Sequence, residues 1–84
     1  EEYEYELDRN HTHKMLIKIL LDDKASSEYT QKKVEEFTSN AELFREKAEI
    51  SALQKRYEDA IRHLESSTKE LVRAIRSAGI YIPG

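Results

Sequence analysis

Residues 57–79, YEDAIRHLESSTKELVRAIRSAG, decide how the rest of the chain is read. Tyr57, Ile61, Leu64, Thr68, Leu71, Ile75 and Ala78 recur at alternating spacings of four and three. At 3.6 residues per turn this places them on one side of a helix, as a heptad seam with Thr68 as its polar member. Gly79 follows at once, and glycine takes the left-handed conformation that closes a helix without a Cβ penalty. Ile80 stands where a Schellman ending puts its apolar contact, and Pro83 prevents the helix from resuming. The spacing predicts a helix over about 57–78.

Upstream, a second helix is predicted over about 28–54. Ser27 is its candidate N-cap, and Glu28 sits in the first turn, where the helix dipole favours negative charge. Its main stripe is Val34, Phe37, Ala41, Phe44, Ala48 and Ala52; a weaker one, Leu43 and Ile50, lies on roughly the opposite side. A first helix is predicted over about 3–23, and its second half carries Met15, Leu16, Ile17, Ile19, Leu20 and Leu21. These side chains spread over more than half of the circumference, so the helix is expected to be wedged between two others or buried in an oligomer. Met15, Leu16, Ile19 and Leu20 form the arc expected to face the other helices. Ile17 and Leu21 lie beyond it, as candidates for a partner surface.

The fold expected is all-α, an antiparallel three-helix bundle in which residues 1–84 form one domain. Two Gly and one Pro among 84 residues leave little turn chemistry, and catalytic clefts hang mostly on loops, so no enzyme is expected. With 38% of residues hydrophobic and 37% charged, the core must be narrow. The net charge of −3 argues against nucleic-acid binding by general phosphate neutralisation. There are no cysteines, which removes disulfide and thiolate chemistry. The longest apolar run, from Met15 to Leu21, is broken by Lys18 and falls far short of the roughly 20 residues of a membrane span.

Nothing divides the second and third helices by Gly or Pro, and one continuous helix from 28 to 78 would be about 75 Å long. A local pattern favours a turn instead. Phe44, Ala48, Tyr57, Ala60, Ile61 and Leu64 make residues 44–67 resemble one helix-turn-helix unit of the tetratricopeptide repeat family. Small residues at Ala48 and Ala60 suit close antiparallel packing. Lys55 stands at the family's turn glycine and Ser67 at a small apolar position, and no second copy follows at a 34-residue period. Closed by the first helix, such a hairpin is similar to the microtubule-interacting-and-transport domain, a three-helix module that binds helical peptide tails. The resemblance implies a turn near Lys55 and Arg56 and carries over no peptide-binding residue.

Few side chains suggest chemistry. His11 and His13 point about 200° apart on a helix and cannot chelate one ion there. His63 stands alone, so neither metal nor cofactor is expected. Arg62, Lys69, Arg73 and Arg76 lie within about 60° of one another on the third helix, a stripe that would complement the dipole at its C-terminus or hold an acidic partner. Tyr3, Tyr5, Tyr29, Tyr57 and Tyr81 suit the margins of a small core, with Tyr3, Tyr5 and Tyr81 packing together if the chain ends meet. Ile80, Tyr81 and Ile82 form an apolar tail expected to dock across the bundle end or to engage another protein. Asn10-His11-Thr12 is a formal glycosylation sequon. Glu1 as first residue fits a mature exported chain or a domain cut from a longer intracellular protein equally well.

The function expected is a non-enzymatic interaction module that binds a protein or a second copy of itself through apolar helix faces. The candidate surface is Ile17, Leu21, Leu43, Ile50, Ile80, Tyr81 and Ile82. The alternative is a small extracytoplasmic helical protein holding a ligand or metal between its helices. The seam makes a direct prediction. Leu64→Ala or Leu71→Ala should cost about 2–4 kcal/mol in urea melts, as large-to-small core changes do, whereas Lys69→Ala, off the seam, should cost well under about 1 kcal/mol.

Overall fold

The computed structural model describes the backbone of residues 1–23 and 27–79, and the side chains of these except 20–23. Three helices, α1 (Glu2–Asp23), α2 (Glu28–Leu53) and α3 (Tyr57–Ser77), account for nearly all of it, with no strand among the described residues. The longest extent is 42 Å, close to the roughly 39 Å that α2 spans at 1.5 Å per residue. The helices therefore lie side by side, and the 75 Å rod is ruled out. Asn10 of α1 meets Ser67 and Thr68 of α3, while Tyr3 meets Tyr57, so α1 and α3 run parallel and α2 runs against both.

The boundaries follow from local chemistry. The Ser27 Oγ accepts the Thr30 amide at 3.1 Å, satisfying a first-turn donor that has no partner within α2. At the far end of α2 the Lys55 amide donates to the Ala52 carbonyl at 3.0 Å and the Arg56 amide to the Ser51 carbonyl at 2.8 Å. That pair of bonds is a Schellman closure, and it requires a left-handed residue, here Lys55 with φ 61°. The α3 closure uses Gly79 at φ 87°, whose amide donates to the Arg76 carbonyl. The apolar contact expected of Ile80 lies outside the described residues. Glu58 and Asp59 occupy the first turn of α3, where their charge complements the dipole; Arg56, the residue before it, supplies no side-chain cap.

The middle helix is α3, not α1. It packs closely on both α2 and α1, whereas the backbones of α1 and α2 barely approach each other. The sequence reading of α1 as the wedged helix is therefore corrected. Flanked on two sides, α3 buries more than its seam: Ala60, Ser67, Glu70 and Ala74 are covered along with Leu64, Thr68, Leu71 and Ile75. The small side chains of Ala60, Ser67 and Ala74 let two neighbours approach at once. The Glu70 carboxylate reaches the bundle margin, where it accepts from Asn40 at 3.1 Å and Arg73 at 2.9 Å.

The main apolar cluster joins Ile17, Val34, Ala41, Leu71, Ala74 and Ile75, bordered by Phe37 and Ala78. Ile17, placed on a partner surface by the sequence, is only 5% exposed and is a core residue. Three of the α1 arc residues are thus reversed: Met15, Leu16 and Ile19, expected to face the bundle, are exposed, while the side chain of Leu20 lies outside the described residues. Both outcomes have one cause. The α1 row that meets α3 is Tyr3, Asn10 and Ile17, at intervals of seven, and its polar member hid it from a search for the richest apolar arc.

Lys55 makes the α2–α3 turn testable. A non-glycine residue in the left-handed region costs about 1–2 kcal/mol, part of which a glycine would return as lost chain entropy in the unfolded state. Lys55 is exposed and its side chain has no packing to lose. Lys55→Gly should therefore raise stability by about 0.5–1 kcal/mol in urea melts with an unchanged m-value.

Candidate functional site

Two helix faces turn away from the core and carry large apolar side chains. On α2, Leu43 and Ile50 are 58% and 57% exposed, and Leu53 extends the row to the turn. On α1, Tyr5, Met15, Leu16 and Ile19 are exposed, opposite the row of Tyr3, Asn10 and Ile17. The outward α1 residues fall on a regular stripe, Tyr5, Asp8, Thr12, Met15 and Ile19, at spacings of three, four, three and four. This spacing is visible in the sequence but is overshadowed by the dense apolar run that begins at Met15. The side chain of Leu21 and the tail residues Ile80, Tyr81 and Ile82 lie outside what the structure describes.

Behind the outward stripe, α1 is held by a buried polar junction. Asn10 is 1% exposed. Its Nδ2 donates to Ser67 Oγ at 2.9 Å and to Thr68 Oγ1 at 3.1 Å, while its Oδ1 accepts from Arg45 Nη1 at 3.0 Å. Ser67 Oγ in turn donates to the Ala41 carbonyl at 2.7 Å. One amide thus links all three helices, and the polar residues at Ser67 and Thr68 acquire a purpose. The same geometry disposes of the sequon in the folded chain: a glycan on Nδ2 would replace one of the two hydrogens donated to Ser67 and Thr68, at a position only 1% exposed. Nearby, Lys14 Nζ pairs with Glu42 Oε1 at 2.7 Å across α1 and α2, half exposed and therefore worth little.

A shallow concavity of about 520 Å3 between α1 and α3 is lined by Arg9, Glu65, Lys69, Val72, Arg73 and Arg76. The basic stripe of α3 therefore meets an arginine from α1. Its charge is largely compensated, with Arg9 on Glu6 at 3.3 Å and Arg73 on Glu70 at 2.9 Å. Arg62, further toward the start of the same face of α3, pairs with Asp59 at 3.8 Å. Glu6 is mostly buried, and its second oxygen has no hydrogen-bond partner.

The histidines are dispersed. His11 is exposed, and His13 Nδ1 lies 2.8 Å from the Arg9 carbonyl, within its own helix. Among the described residues no three His, Cys, Asp or Glu side chains are grouped to hold an ion. Tyr3 packs edge-on against Tyr57, with centroids 5.9 Å apart, while Tyr5 stands free of this pair. Lys33 lies over the Tyr29 ring and Lys47 over Phe44. Among the described residues no helix is long and apolar enough to cross a membrane.

The chain matches no protein-family model, no curated protein and no solved structure. Its surfaces must therefore be read on their own chemistry.

The Asn10 junction predicts a large effect from a small change. Asn10→Ala removes the acceptor of Arg45 Nη1 and the donor that two buried hydroxyls share. It should cost about 2–4 kcal/mol in urea melts, more than the removal of a surface hydrogen bond. Nuclear magnetic resonance shifts should move together at Arg45, Ser67 and Thr68.

Proposed function

We propose that this chain is a non-enzymatic helical interaction module that binds protein through the outward apolar faces of α1 and α2. The observation that carries the proposal is the exposure of Met15, Leu16, Ile19, Leu43 and Ile50 on helices whose inward faces are already buried. Isolated surface apolar residues need no explanation, but rows of them on one helix face mark sites that another helix covers. The rows are also separate from the residues that hold the bundle together, so covering them would leave the core undisturbed. The tetratricopeptide-like hairpin of residues 44–67 belongs to this reading, since its α2 segment leaves Ile50 exposed in line with Leu43 just before it.

Photoreactive side chains placed at Ile50 or Met15 test the proposal in cells expressing the chain. Protein adducts should form at both positions and be absent at Lys55, which is exposed but lies in a polar turn. Leu43→Lys should abolish adducts from the photoreactive side chain at position 50 and change stability by less than about 0.5 kcal/mol. Adducts at Lys55 equal to those at Ile50, or none at any position, would defeat the reading.

A further inference from the structure

The outward stripe of α1 has the form of half a coiled coil. Tyr5, Asp8, Thr12, Met15 and Ile19 occupy alternating seam positions, all exposed, while Asn10 and Ile17 point to the opposite side and are buried. One flank of this seam carries Glu4, His11 and Lys18, each exposed, at intervals of seven. The order is acidic, neutral, basic. Such a flank complements itself when two copies of the helix run in opposite directions, because Glu4 of one copy then lies beside Lys18 of the other, and the pair occurs twice about the two-fold axis.

We infer that the partner of this face is a second copy of the chain, docked through α1 in an antiparallel pair. This deepens the interaction-module reading and rests on it. In the register that sets Glu4 beside Lys18, Tyr5 meets Met15 of the second copy and Asp8 meets Thr12, whose hydroxyl can turn from the Asp8 carbonyl of its own helix to that carboxylate. Ile19 closes each end of the seam. A parallel pair would set Asp8 against Asp8, two like charges in a desolvated layer, and would separate Glu4 from Lys18. Charge pattern therefore selects the direction, as seam polar residues and flanking charges do in helical pairs. On the other flank, Arg9 is neutralised by Glu6 and turned toward α3, where it lines the basic concavity, so it does not oppose its counterpart.

Sedimentation equilibrium on the 84-residue chain tests the inference, with far-ultraviolet circular dichroism confirming that each variant is folded. The unaltered chain should be dimeric at about 100 μM, the range open to a modest helical interface. Met15→Lys with Ile19→Lys should be a folded monomer. Glu4→Lys and Lys18→Glu should each weaken the dimer about tenfold, since symmetry counts each reversed charge twice. The two reversals together should restore it to within a few fold, an outcome only the antiparallel arrangement produces. A monomer throughout, or a double reversal weaker than either single one, overturns the inference. If adducts at Ile50 persist while the chain stays monomeric, the dimer fails and the interaction-module reading stands; loss of both removes both.

Discussion

A buried amide must satisfy two donors and an acceptor, and in this protein Asn10 does so only when all three helices occupy their observed positions. Its Nδ2 reaches two hydroxyls on α3, its Oδ1 takes a hydrogen from Arg45 on α2, and Ser67 passes the network on to the Ala41 carbonyl. Apolar contacts tolerate sliding by a turn, because one methyl group replaces another at small loss. A polar junction does not, because any other register strands a donor or an acceptor away from water. The helix order, the parallel course of α1 and α3, and the depth at which α1 sits therefore hang on this junction, much as one buried polar residue sets register in a helical pair.

This arrangement explains why the apolar content is distributed as it is. The middle helix needs cover on two flanks and uses small or polar residues there, with Ala60, Ser67 and Ala74 beside the larger Leu64, Leu71 and Ile75. The first helix meets the bundle along a narrow row, Tyr3, Asn10 and Ile17, and has no inward place for its remaining apolar residues. They stand outside, on the helix whose backbone packs chiefly on α3. The surplus on α1 is thus a consequence of geometry, and the acidic-to-basic gradient of Glu4, His11 and Lys18 beside it gives that surplus a direction. The concavity between α1 and α3, by contrast, has Arg9 and Arg73 paired internally and Glu65 in its lining, which weakens its field toward a ligand.

Much of the fold was legible from the residues. The seam of α3, the Ser27 cap, the closing Gly79 and the turn at Lys55 are set by interactions within a few residues of one another, and such local rules read directly from spacing. The α2 stripe of Val34, Ala41 and Ala48 is likewise buried, because a single dominant row leaves one choice of inward face. The surface was less legible. Leu43 and Ile50 are exposed, but Ile17 and the Met15–Ile19 arc exchanged roles, since an all-round apolar helix contains several possible inward rows.

The sequence by itself determined three helices, their ends and the inward faces of α2 and α3, because periodicity and capping act along one chain over a turn or two. Only the tertiary structure decided that α3 is central, that α1 turns Asn10 and Ile17 inward, and that Tyr5, Met15 and Ile19 are left outside. The reason lies in hydrogen bonding between residues nearly sixty positions apart: Asn10 has no local partner, and its preference for Ser67 and Thr68 over water exists only once α1 has been laid against α3.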